Sequence, residues 1–299
     1  MKTKILAVAL NPSLDRTVSV EHLKPGQELR AREVVTSAGG KAVNVARALR
    51  SLGMEAGVWG IAAGAAGRRL ESILRSEGLP QKWLWTGGET RTNLTVSEGA
   101  SGRATRILEA GPVVGKALTQ ALRADLARQL HSLNVLVLSG SLPPGMASGT
   151  WAGLISSARS ANVLTALDTS GAALRAGIRA RPFLVKPNRD EAEDLCGFRV
   201  RTRSGLQKAL GHLSRYSNIV LISLGPQGLA VSDTVRMFWA RGPVRAQGRT
   251  VGCGDAALAG FLAGFLKGEH LEECLRLAVA SGTANVGAAV PGGICPREV

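Results

Sequence analysis

The sequence predicts an α/β protein: a mostly parallel sheet flanked by helices on both faces, with a second, small β-sheet beside it. Three observations carry this. Short apolar runs alternate with helical patterns along most of the chain, as strands joined by crossover helices do. Two segments break that rhythm with polar–apolar alternation. The 299 residues, 45% hydrophobic, are enough to fill a substantial core.

The first strand is Lys4 to Leu10, an apolar run halted by Asn11-Pro12. Thr17 to Thr36 follows with β-branched residues in alternation, which suits a strand pair and not a crossover helix. Ala42 to Leu52 has helical apolar spacing and good helix formers. Thr90 to Leu108 repeats the alternating pattern, so residues of about 13–36 and 88–110 are read as one small sheet that covers a substrate. Strands at Val135 to Leu138, Val163 to Leu167, Pro182 to Val185 and Ile219 to Ser223 then alternate with helices. Those helices are Gly115 to Leu130, Ala147 to Ser160, Arg189 to Cys196 and Ser204 to Tyr216. Gly252 to Val290 closes the chain as two helices. No repeat or linker divides residues 1–299, so a single domain is expected, with ligands at the carboxyl ends of its strands.

The net charge of +15 raises the possibility of nucleic-acid binding. Its cations are dispersed, however, and dense only at Arg175 to Arg181 and Arg199 to Arg203, with one tyrosine and five phenylalanines to stack bases. A solvated basic surface is expected, with no specific nucleic-acid partner; its field favours anionic substrates. No apolar run approaches the roughly 18 residues of a membrane span. Ile5 to Leu10 is too short for an export signal, and Cys196, Cys253, Cys274 and Cys295 are scattered, so a reducing cytoplasm is expected. His270 and Cys274 stand four apart without two further ligands nearby, which argues against zinc.

Gly252-Cys-Gly-Asp255 sets a carboxylate between tight glycines and an apolar helix, a plausible phosphoryl-transfer centre. Gly252, Gly254 and Ala257 also fit a loose dinucleotide fingerprint. That motif needs a preceding strand, and Gln247 to Val251 is too polar and short to be one. Asp15 follows the first strand, where an acid can grip sugar hydroxyls or satisfy a local turn. Ala38-Gly-Gly-Lys-Ala-Val-Asn44 opens a helix with groups suited to a hydroxylated or phosphorylated ligand. It is not a Walker loop, because Ala42 follows Lys41 and Val35 stands where a glycine is required. Asn188 and Glu191 by themselves make a good helix start. Arg91 and Asn93, two apart on a strand, project to the same face.

These segments together resemble the PfkB branch of the ribokinase-like carbohydrate kinases over essentially the whole chain. They look closest to its 1-phosphofructokinase and tagatose-6-phosphate kinase group. The resemblance is carried by Leu10-Asn-Pro-Ser-Leu-Asp15, Gly39-Gly-Lys-Ala-Val-Asn-Val-Ala46, Thr90-Arg-Thr-Asn-Leu94, Ile107-Leu-Glu-Ala-Gly-Pro112, Ser139-Gly-Ser-Leu-Pro-Pro-Gly145, Lys186-Pro-Asn-Arg-Asp-Glu191, Ser223-Leu-Gly225 and Gly252-Cys-Gly-Asp255. Cys253 departs from the family's usual alanine.

The resemblance implies a Rossmann-like, ribokinase-like core with a β-sheet lid, completed as a homodimer through that lid. It implies ATP-dependent phosphorylation of a ketohexose phosphate, fructose 1-phosphate to fructose 1,6-bisphosphate. Tagatose 6-phosphate, fructose 6-phosphate or neutral-sugar kinases, and a non-catalytic sugar-phosphate sensor, are the alternatives. Asp255 would be the general base, with the amides of Gly252, Cys253 and Gly254 helping it form the anion hole. Asp15, Gly39, Gly40, Asn44, Asn93 and Ser139 would bind the sugar, and Lys41, Arg91 and Arg30 its phosphate. Lys186, Asn188, Ser223, Gly225, Gly228 and Asn285 would bind nucleotide. Asn188 and Glu191 would hold Mg2+ through water.

Overall fold

The computed structural model describes residues 4–99, 103–243 and 250–299. β1 (Lys4–Ala9) leads into β2 (Ser13–Val20) and β3 (Glu33–Gly39), then α1 (Lys41–Ser51), β4 (Glu55–Ala63), α2 (Gly64–Ser76) and β5 (Gln81–Thr86). β6 (Arg91–Glu98) and β7 (Ala104–Ile107) come next. The strand–helix rhythm resumes with α3 (Lys116–Leu130), β8 (Val135–Ser139), α4 (Thr150–Ser160), β9 (Leu164–Asp168), α5 (Gly171–Arg179) and β10 (Leu184–Val185). After α6 (Arg189–Cys196), α7 (Arg203–Leu213) and β11 (Ile219–Ser223) comes a hairpin, β12 (Leu229–Ser232) and β13 (Met237–Ala240). α8 (Cys253–Leu266) and α9 (Leu271–Ala284) complete the core.

The large sheet has nine strands in the order β13-β12-β11-β10-β9-β8-β1-β4-β5. It is parallel from β5 to β11 and antiparallel only in the edge hairpin. The chain builds outward from β1 to β4 and β5, then returns to β8 and continues the other way. Strand order therefore reverses between β1 and β8, where a doubly wound sheet opens its ligand crevice. The expected small sheet is present in the order β3-β2-β6-β7.

Alternation along the central strands divides the core between two faces. Ile5, Ala7 and Ala9 of β1 join Val135 and Val137 of β8 against α1, α8 and α9. Val8, Leu136 and Leu138 face the other way, toward Leu122 and Leu126 of α3 and Trp151 of α4. α8 is buried along nearly its whole length and packs against α9 at backbone distance. A Cβ on Gly260 would lie 2.5 Å from the carbonyl oxygen of Leu277, and one on Gly264 would lie 3.2 Å from Cα of Cys274. Two further braces use buried charge. Arg47 pairs with Glu77 at 2.8 Å and donates to the carbonyls of Ala38 at 3.0 Å and Pro291 at 2.6 Å. Asp125 accepts from Trp59 Nε1 and from Lys82, both at 2.8 Å.

β4, α2, β5, α5 and the β12–β13 hairpin go beyond the elements read from sequence. β4 reads ambiguously because Gly57, Gly60 and its alanines give no clear period; the bare Gly60 lets β1 approach closely at Ala9. Asp15 also differs in place: it lies inside β2, as part of the small sheet. Gln247, Gly248 and Arg249, used above to weigh the dinucleotide alternative, lie outside the described residues. No helix among the described residues is long and apolar enough to cross a membrane.

Candidate active site

Gly252 caps α8 in the left-handed region, with φ of 86°. The first turn of a helix has N–H groups without intrahelical acceptors. Here the Cys253 N–H is given to the Thr250 carbonyl at 3.3 Å, so of the expected anion hole the amides of Gly252, Gly254 and Asp255 remain. The Asp255 carboxylate is 5% exposed and accepts from Asn44 Nδ2 at 2.8 Å. Burial raises its pKa and the negative charge of Asp168 raises it further, against the pull of Lys41, the Asn44 bond and Lys186. Burial also raises the pKa of the Cys253 thiol, keeping it protonated in this turn.

Beside Asp255 lies a buried ionic bridge. Asp168, at the end of β9, is fully buried, and its Oδ1 meets Lys41 Nζ at 2.7 Å. Its Oδ2 faces Lys186 Nζ at 3.0 Å. Desolvation works against the Asp168 charge, but Lys186 and Lys41 outweigh it and hold the carboxyl below its ordinary range. Desolvation likewise opposes the Lys41 charge, and Asp168 with Asp255 overcomes it and raises that pKa.

On the small-sheet side, β2 and β6 pair in parallel and set Asp15 opposite Asn93. Asp15 Oδ1 accepts from Asn93 Nδ2 at 2.9 Å and from Ser13 Oγ at 2.7 Å. Gly39 must be glycine here, because a Cβ would overlap the Asp15 carboxylate. Gly40 turns the chain into α1 with φ of 102°. Asn11 Oδ1, Asn93 Oδ1 and Ser139 Oγ are buried with no hydrogen-bond partner among the described residues, a polar set ready for a hydroxylated ligand. Arg91 donates to the Asn11 carbonyl at 2.9 Å and borders a recess of about 490 Å³ with Asn11, Glu109 and Ser141. Burial lowers the Arg91 pKa; Asp15 opposes that shift, and Arg106 on β7 adds to it.

A larger groove of about 660 Å³ lies on the other side of the α8 turn. Asn188, Ser223, Gly225, Gly228, Cys253 and Gly254 all line it. Gly228 answers a second need, since a Cβ there would collide with the Ala240 carbonyl. Asn188 and Glu191 form a full capping box: each side chain accepts from the other's backbone N–H at 2.8 Å. The cap engages Asn188 Oδ1 and Glu191 Oε2 and leaves Glu191 Oε1 uncommitted among the described residues, a carboxylate oxygen suited to a cation that keeps most of its waters. No group of three or more His, Cys, Asp or Glu suited to a metal occurs among the described residues.

The sequence profile described as pfkB family carbohydrate kinase matches residues 8–293. The chain belongs to this family. It is 36% identical to a 1-phosphofructokinase of Xanthomonas campestris pv. campestris, covering 94% of this chain and 90% of that protein. It is 29% identical to a tagatose-6-phosphate kinase of Staphylococcus epidermidis, covering 94% and 91%. The tetrameric inhibited form of Escherichia coli phosphofructokinase-2 superposes with a TM-score of 0.88 at 31% identity, covering 96% and 94%. The chain is thus an ATP-dependent sugar-phosphate kinase with the ribokinase-like fold, as the motifs implied.

Two further residues read from the family pattern lie as follows. Arg30 is exposed in the β2–β3 loop and makes no ion pair among the described residues. Asn285 is 1% exposed and faces inward: its amide donates to the Val251 carbonyl at 2.9 Å and accepts from Gly292 N–H at 2.7 Å. It shapes the α8 turn from behind. Asp168 and Arg106 were not read from sequence. An acid ending a predicted strand was the available signal for Asp168.

Proposed function

We propose that this kinase moves the γ-phosphoryl group of ATP to fructose 1-phosphate, giving fructose 1,6-bisphosphate and ADP. One observation carries the reading: Asp255 follows the Cys253-Gly254 turn that lines the groove, is held by Asn44, and lies within electrostatic reach of Lys41 and Lys186. The acceptor hydroxyl oxygen attacks the γ-phosphorus while its proton passes to Asp255. The bond to the β-phosphate oxygen breaks, and ADP leaves. Burial makes Asp255 a stronger base than an exposed carboxylate, and the Gly254 and Asp255 amides face the transferred group's charge.

Asp15, Gly39, Gly40, Asn44, Asn93 and Ser139 take the sugar in this reading, and Lys41 with Arg91 its phosphate. Lys186, Asn188, Ser223, Gly225 and Gly228 take the nucleotide. Asn188 and Glu191 hold magnesium through water, and the ion supplies charge neutralisation on the phosphates. The small sheet acts as a lid within a single domain. Its exposed Val34 and Ile107, with the following Leu108, favour pairing with a second copy. Tagatose 6-phosphate and fructose 6-phosphate are the second reading, the first favoured by the Staphylococcus relative and the second by the Escherichia coli phosphofructokinase-2 solved in complex with fructose-6-phosphate.

ADP release with magnesium and ATP tests the proposal, run against the three ketohexose phosphates, fructose and ribose. Turnover selective for fructose 1-phosphate supports it; turnover with only neutral sugars removes the phosphate role of Lys41 and Arg91.

A further inference from the structure

We infer that Asp168 is a positioning residue for phosphoryl transfer, whose one carboxylate sets the lysine facing the acceptor and the lysine facing the nucleotide. The two ammonium groups come from different parts of the fold. Lys41 begins α1, next to the Gly39-Gly40 turn that lies against Asp15, and its side chain is 41% exposed. Lys186 follows β10, its side chain is 4% exposed, and its Nζ lies 3.3 Å from where a Cβ of Gly254 would stand. Lys41 therefore opens toward the acceptor side, and Lys186 lies under the anion-binding turn.

Among the described residues, Asp168 is the single buried carboxylate that touches both, at 2.7 and 3.0 Å. A lysine is a point charge on a flexible stem, and its direction must be fixed by a partner. Asp168 supplies that partner twice. It also balances charge: Lys41, Lys186, Asp168 and Asp255 sum to zero before the phosphates arrive. Without Asp168 the buried Lys186 ammonium and the partly exposed Lys41 ammonium would lose their shared counter-charge, and each would turn toward the remaining carboxylate, Asp255. The acceptor and donor would then lose their common reference point. This inference rests on the assignment of Lys41 to the acceptor and Lys186 to the nucleotide made above.

The experiment combines Asp168→Asn with Lys41→Met and Lys186→Met in two double-mutant cycles. One reads KM for fructose 1-phosphate; the other reads Kd for magnesium–ATP by calorimetry, which needs no turnover. Absence of wild-type turnover with any ketohexose phosphate would count against the proposed activity, while the calorimetric cycle would still judge Asp168. The expected result is that Asp168→Asn raises both constants by roughly tenfold or more, as loss of charge-assisted bonds implies. Each effect should be largely absent in the background lacking the corresponding lysine. Either constant within twofold of wild type, or effects that add in full, overturns the inference. Asp168→Glu guards against a folding defect, because it keeps the charge but moves it by one methylene. It should raise both constants while melting near the wild-type temperature, and wild-type constants in that variant also overturn the inference.

Discussion

The side-chain amide of Asn44 reaches the carboxylate of Asp255 at 2.8 Å, joining the first helix to the eighth. That bond favours the ionised form of Asp255, whereas burial and Asp168 favour the neutral one. Asn44→Ala should therefore move the acid limb of the kcat/KM profile to higher pH, because a base must be deprotonated to act. A hydrogen bond to a charged group contributes about 1.5–3 kcal/mol, so the shift should be readily measured. An unmoved limb would count against Asp255 as the titrating base.

Asp255→Asn should keep magnesium–ATP binding and lower turnover by roughly 10²–10⁴, the usual worth of a general base. Calorimetry and steady-state ADP release check the two halves separately. Near-normal turnover would remove Asp255 from the mechanism.

Arg91→Ala should raise KM for fructose 1-phosphate by roughly tenfold to a hundredfold, the equivalent of about 1.5–3 kcal/mol for a charge-assisted bond. Any residual turnover of unphosphorylated fructose should not change. An equal loss on both sugars would mean that Arg91 only supports the Asn11 loop, through its bond to that carbonyl.

Arg47→Met should destabilise the fold by about 1–3 kcal/mol, since it leaves the carbonyls of Ala38 and Pro291 without a donor and the solvent-reached Glu77 without its partner. Urea titration measures this. An unchanged midpoint would show that the brace is redundant.

The pH dependence of stability should follow Asp125. Desolvation opposes its charge, but the bonds from Lys82, Trp59 and Arg128 hold its pKa below the ordinary value. Its contribution is present above the unfolded carboxylate pKa and is lost as pH falls through the lowered one. Asp125→Asn should flatten the acid side of the urea midpoint against pH between about 5 and 2. A profile as steep as wild type would assign that loss to other carboxylates.

The parts of the site that were legible in sequence are those written locally. The glycine turn before Asp255, the Asn188–Glu191 helix start and the shared face of Arg91 and Asn93 each lie within a few residues, where backbone geometry fixes the outcome. Asp168 acts on Lys41, which lies 127 residues away in the chain, so no spacing announces it. Arg47 reads as a charge on an amphipathic helix and becomes a brace only because the fold brings Glu77 after α2, Ala38 of β3 and Pro291 near the C-terminus around it. Asn285 matched a family position, yet the 3-10 turn after α9 points its amide at Val251 and Gly292. β4 escaped notice because small residues that let backbones approach carry no hydrophobic period.

The glycine contacts between α8 and α9 have a mechanical consequence. With backbone against backbone at Gly260 and Gly264, neither helix has slack to slide or roll past the other. Asp255 is thus fixed to an anvil, and a small sheet acting as the proposed lid would have to move against it on four connections to the core, at residues 10–12, 40, 87–90 and 108–115.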